Sequence, residues 1–109
     1  MTETNTLEEL ERVTVEYSEA AANRAYISEF RKSKKAILMA EAESKNPSWP
    51  IAKQERYAYA HSEYLELLDG LKAAIQIDVM LKHRIQVINM RFEAWRSKQA
   101  TLRQEMQIR

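Results

Sequence analysis

The chain has no cysteine, one glycine, two prolines and no long apolar run. Without cysteine there are no disulfides and no thiolate metal sites, and nothing points to an oxidising compartment. At average usage a chain of 109 residues carries about thirteen glycines and prolines. Only Pro47, Pro50 and Gly70 are present. Sandwiches, barrels and α/β folds need a turn every ten residues or so, and such turns call for Gly, Pro, Asn or Asp. Apolar stretches such as Ala73-Ala74-Ile75-Gln76-Ile77 fall far short of the ~20 residues that cross a bilayer. The start, Met1-Thr2-Glu3-Thr4-Asn5, has no apolar core of a secretory signal. A cytoplasmic location is the expectation.

What remains is rich in Ala, Glu, Lys, Leu and Arg, and its length suits one domain. The expected fold is all-α: a long antiparallel helical hairpin, coiled-coil-like, with a short helix at the bend. A first helix is predicted over about 6–44. Thr6-Leu7-Glu8-Glu9 reads as a capping box, and Leu7, Leu10, Val13, Tyr17, Ala20, Ile27, Phe30, Ile37 and Leu38 form its apolar stripe. The turn falls at 45–48, because Pro47 drives Asn46 from helical angles. Ser48 is read as the N-cap of a short helix over about 49–60, with Pro50 in its first turn. His61-Ser62 offers a weaker break.

The third helix is predicted over about 63–107. Leu71, Ile75, Asp78, Leu81, Ile85, Ile88, Phe92, Trp95, Gln99, Leu102 and Met106 alternate steps of three and four, which is a heptad seam. Gly70 lies inside this pattern and marks a close helix crossing or a local bend. Arg24 and Asp78 interrupt the apolar stripes and read as polar seam residues that fix register, with Arg31 or Lys34 in reach of Asp78.

Charge order gives the direction of pairing. Residues 1–20 hold six acids and one base, and residues 24–35 hold five bases and one acid. After the turn, residues 62–81 hold four acids and one base, and residues 82–109 seven bases and two acids. Folding back at the turn sets each block against its opposite, whereas a parallel in-register pairing sets like on like. Antiparallel pairing is therefore expected.

Catalytic templates find no match. There is no Gly-rich phosphate loop and no activated Ser or Thr, and His61 and His83 belong to no metal-binding spacing. The carboxylates Glu8, Glu9, Glu11, Glu16 and Glu19 suit a solvated helix start near the positive end of its dipole. The chain is read as a non-enzyme with no cofactor, metal, small-molecule substrate or membrane.

Two binding surfaces compete. Trp49, Lys53, Arg56, Tyr57, Tyr59, His61 and Tyr64 crowd around the bend, with the Tyr/Trp/Arg composition that protein interfaces favour. Tyr57 and Tyr59 are two residues apart, so they cannot share a groove and one of them points outward. The plainer account is that the cluster packs the short helix onto the ends of the long ones. The alternative surface is nucleic-acid binding through Arg84, Arg91, Arg96, Lys98 and Arg103, against which stands a net charge of only +1. Off the third helix's seam, Ile77, Val79, Met80, Val87 and Met90 would be covered in part by the short helix, or by a second copy in a homodimer.

Three stretches, Gln54-Glu55-Arg56-Tyr57-Ala58-Tyr59-Ala60-His61, Tyr64-Leu65-Glu66-Leu67-Leu68-Asp69-Gly70-Leu71 and Arg91-Phe92-Glu93-Ala94-Trp95-Arg96-Ser97, together resemble small all-helical accessory proteins encoded by tailed bacteriophages, often among recombination and replication genes. The resemblance implies a phage setting and an accessory role, and brings no catalytic or binding residues with it. It also implies a firmer break at Ser62, where similar sequences carry proline.

Overall fold

A computed structural model describes residues 3–108, with the side chains of Glu3 and Thr4 left aside. The fold is an all-α antiparallel hairpin of three helices, α1 (Glu3–Lys45), α2 (Ile51–Ala60) and α3 (Ser62–Ile108). The described residues divide into two compact units: one takes those as far as Glu19 and those from Asp78 on, the other is Ala20–Ile77.

α1 starts before Thr6, so the expected capping box is not used. Thr6 lies within the helix and is buried, seven residues ahead of the fully buried Val13, on the same face.

At the other end, Asn46 N–H still reaches the Ala42 carbonyl at 2.9 Å, and Trp49 N–H donates to Asn46 O at 3.0 Å. That closes a four-residue turn with Pro47 in the position where its fixed φ is favoured. α2 then opens at Ile51, two residues later than expected. Trp49 precedes a proline and is pushed out of the helical region. The N-cap is therefore Pro50 (φ −68°, ψ 162°), without a side-chain cap, and not Ser48. The Pro50 carbonyl accepts from both Lys53 and Gln54 N–H, and the Gln54 side-chain amide donates to Trp49 O at 3.1 Å.

His61 alone separates α2 from α3 (φ −68°, ψ 138°). Its carbonyl accepts the Leu65 N–H, and its Nδ1 accepts the Glu63 N–H at 3.1 Å, so the imidazole caps α3 as an Asn or Ser would. Ser62 is the first helical residue, where an amide has no intrahelical acceptor, and His61 already has the extended conformation that a following proline requires. Ser62→Pro is expected to fit without strain. It should raise stability by about 0.5–1 kcal/mol through the unfolded chain, read as a higher urea midpoint at unchanged m-value.

In the unit containing both ends of the hairpin, Val13 and Ile88 are fully buried, with Thr6, Asp78 and Leu81 beside them in burial. The acidic start of α1 lies against the basic part of α3: Glu9 Oε1 stands 3.5 Å from Arg84 and 3.6 Å from Arg91. In the unit Ala20–Ile77 the core is Leu38, Ala58 and Tyr64, with Met39 and Leu68 packed on it. There Lys34 of the basic block pairs with Glu63 of the acidic block at 3.2 Å. Both units thus pair α1 and α3 antiparallel, opposite charges facing. Lys34, one of the two partners considered for Asp78, makes its ion pair with Glu63.

The seam of α3 follows the heptad from Leu71 to Gln99, and Leu102 and Met106 depart from it by lying exposed. The α1 stripe is more polar than expected. Leu7, Phe30 and Ile37 are exposed, while Arg24, Arg31 and Lys34 occupy the half-buried seam positions at the heptad spacing. Ile77, Val79, Met80, Val87 and Met90 are all exposed, so α2 covers none of them.

Gly70 marks no close helix crossing. It lies within α3, without positive φ, and a Cβ added there meets nothing within 4 Å. Gly70→Ala is expected to stabilise by about 0.5–1 kcal/mol, the helix-propensity difference, because no packing opposes it. A rise of several degrees in Tm checks this; no change or a fall would place something against the glycine.

Candidate functional site: the aromatic bend

α2 is ten residues long and turns one face inward, burying Gln54 and Ala58 four residues apart. That placement sends Tyr57 and Tyr59 to different sides, and the candidate cluster separates into two groups. On the first side the rings of Trp49 and Tyr57 meet edge-to-face at 6.1 Å, and Tyr57 meets His61 in the same way at 5.7 Å. Lys53 Nζ stands over the Trp49 ring at 4.6 Å. On the second side Tyr59 and Tyr64 meet edge-to-face at 5.4 Å. Tyr64 belongs to the core, whereas Tyr59 is 45% exposed. Tyr59 is thus the outward-facing tyrosine of the pair. Arg56 is also exposed and makes no ion pair among the described residues.

Four charged residues outside the expected set complete the site. Lys45, the last residue of α1, donates to the Tyr57 hydroxyl at 3.3 Å and pairs with Glu41 at 3.2 Å. Glu41 also faces His61 Nε2 at 3.8 Å. Since Nδ1 already accepts from Glu63, a neutral His61 carries its proton on Nε2, toward Glu41. On the second side Lys35 pairs with Glu55 at 3.6 Å and stands 4.9 Å from the centre of the Tyr59 ring. Each of the rings of Trp49, Tyr57 and Tyr59 is therefore matched by a lysine, an attraction of ammonium to the ring's electron-rich face. A sequence signal existed for part of this: Glu41 and Lys45 are spaced i, i+4, with the acid N-terminal to the base.

These contacts move titrations in consistent directions. The hydrogen bond to the Tyr57 hydroxyl, and then the one to Glu41, raises Lys45 above the ordinary lysine value. The Lys45 ammonium holds Glu41 below the usual carboxylate range. Lys35 is raised, chiefly by its hydrogen bond to Tyr59. All three groups stay charged at neutral pH, and their exposure keeps the energetic consequence small.

Chemically, the bend is a set of amphipathic rings edged by cations, with no assembly of nucleophile, base and oxyanion donors. Among the described residues no three of His, Asp and Glu stand close enough to share a metal ion. Among the described residues no helix is long and apolar enough to cross a membrane.

The alternative surface fares differently. Arg84 and Arg91 are matched by Glu9, and Arg96 pairs with Glu93 at 3.1 Å within α3. Lys98 and Arg103 are exposed and make no ion pair among the described residues. Three of the five basic residues considered for phosphate contacts are thus already beside a carboxylate.

No family model, curated protein or solved structure matches the chain.

Proposed function

We propose that this chain is a non-enzymatic accessory protein of phage type that acts by protein–protein contact in the host cytoplasm. Its target is a phage recombination or replication component, or a host nuclease or defence complex that it inhibits. The observation that carries this reading is the outer side of the bend: Tyr59 is 45% exposed on α2, backed by the buried Tyr64, flanked by Lys35 and adjoined around the helix by Arg56. Tyrosine and arginine held by a packed support are the residues on which interface energy concentrates. Such a ring loses little entropy on binding because its position is already fixed. The phage setting comes from the resemblance of the three helical stretches.

The test is affinity purification from the phage-infected host, with identification of what co-elutes and then a binding measurement on the purified pair. Tyr59→Ala with Arg56→Ala is expected to weaken binding by at least tenfold while leaving helical content unchanged and lowering Tm by only a few degrees, through loss of the Tyr59 contacts with Tyr64 and Lys35. Undiminished binding by the folded double variant rejects the bend as the interface. Binding that collapses between low and moderate salt, and that duplex DNA competes away, would instead assign the function to phosphate contacts.

A further inference from the structure

The seam of α3 outlasts its cover. Phe92, Trp95 and Gln99 are half-buried, but every residue in 100–108 is exposed. The heptad nevertheless continues: Leu102 and Met106 follow Trp95 and Gln99 at steps of three and four, and they are 43% and 75% exposed. One side of this bare stretch is basic: Arg96 and Arg103 lie on it seven residues apart, Arg96 beside Glu93 at 3.1 Å, while Lys98 shares the other side with Glu105. Beside the start of this face a groove of about 750 Å³ is lined by Phe92, Glu93, Trp95, Arg96, Gln99 and Arg103 among others.

The same unit displays what such a face accepts. Upstream on α3, the seam at Leu81 and Ile88 is covered by the acidic start of α1, and Glu9 sits between Arg84 and Arg91. From this we infer that residues 95–108 of α3 bind an acidic amphipathic helix of a partner protein, which takes up the seam where α1 ceases to cover it. Leucine-like residues of the incoming helix would pack on Trp95, Leu102 and Met106, and its carboxylates would face Arg103 and, in place of Glu93, Arg96. A second copy offering this same face is disfavoured, since antiparallel pairing would set the Arg96 and Arg103 flank against itself and parallel pairing would set Lys98 against Arg103. This surface shares no residue with the aromatic bend, so either proposal can fail alone.

The test uses the full chain and a labelled 21-residue synthetic helix with leucine at a and d and glutamate at e and g. Fluorescence anisotropy is expected to show saturable binding. Leu102→Asp with Met106→Asp should weaken it at least tenfold, with circular dichroism and melting unchanged because both side chains are exposed in the free protein. Arg96→Glu with Arg103→Glu should reverse the preference, favouring a lysine version of the helix over the glutamate one. Methyl spectra should move at Leu102 and Met106 and stay fixed at Val13 and Ile88.

Absence of binding, or equal binding by the Leu102/Met106 variant, overturns the inference. So does movement of Val13 and Ile88, which would mean that the probe displaces α1. A wild-type dimer in sedimentation that Leu102→Asp with Met106→Asp dissociates would assign the face to a second copy and overturn it too. Binding of a 20-base-pair duplex that is lost in Arg96→Glu with Arg103→Glu, but kept in the Leu102/Met106 variant, would assign it to DNA and do the same.

Discussion

Leu38→Ala is expected to destabilise the protein by about 3 kcal/mol and to lower Tm by roughly 10 °C or more. Leu38 is 1% exposed and is the largest fully buried side chain of the unit Ala20–Ile77, in a core to which α1, α2 and α3 all contribute. Truncation removes its transfer free energy and leaves a cavity between Ala58 and Tyr64. Ala58 cannot reach into that space, and Tyr64 is held by its contact with Tyr59. The neighbouring Ile37 gives the control, because it is 55% exposed and its truncation should cost less than about 1 kcal/mol. Scanning calorimetry on the two variants decides the matter. Equal losses would mean that the seam of α1 runs through Ile37, as the sequence alone suggests.

The second large effect is expected at Ala58, which is fully buried on the inward face of α2. Ala58→Glu adds four heavy atoms and a carboxylate charge to a space already filled by Leu38, Tyr64 and Leu68. Overpacking and an unsatisfied buried charge together should cost more than about 3 kcal/mol. α2 is short and makes few other buried contacts, so the damage should appear first there. In a Trp95→Phe background, Trp49 is the only remaining indole, and its fluorescence reports α2 directly. The emission should shift toward that of a solvated indole, with helical content largely kept in α1 and α3. An unaltered Trp49 signal with full stability would show that α2 can tilt to admit a longer side chain.

The same two residues show which parts of the fold could be read from the sequence. Scarcity of Gly and Pro marked the helices, and the four charge blocks marked their antiparallel pairing, now seen as Glu9 with Arg84 and Arg91 and as Lys34 with Glu63. The face of α1 was harder. Arg24, Arg31 and Lys34 hold seam positions, so a search for apolar periodicity slides one step aside to Phe30 and Ile37. Long aliphatic stems let Arg and Lys line a seam while their charged ends reach its edge, and hydrophobicity alone does not register that.

Helix ends were misplaced for local reasons. Pro50 restricts Trp49, which outweighs the capping preference of Ser48, and packing of Thr6 outweighs its use as a cap. At the bend, the aromatic residues were legible as a group. Their partners Lys35, Glu41 and Lys45 lie in α1 and were not, because only the return of the chain brings them to α2.

The two ion-paired regions also differ in the length of chain that each must close. Glu9 and Arg84 are 75 residues apart in sequence, whereas Lys34 and Glu63 are separated by less than half of that. Closing the shorter loop costs less entropy, and once it is closed the remaining ends have less freedom to lose. Folding should therefore begin around Leu38, Ala58 and Tyr64 and reach Val13 and Ile88 last. Amide hydrogen exchange would show the order in reverse, with protons near Val13 and Ile88 released before those near Leu38. The small core at the bend would then be the nucleus of the molecule as well as the support of its aromatic surface.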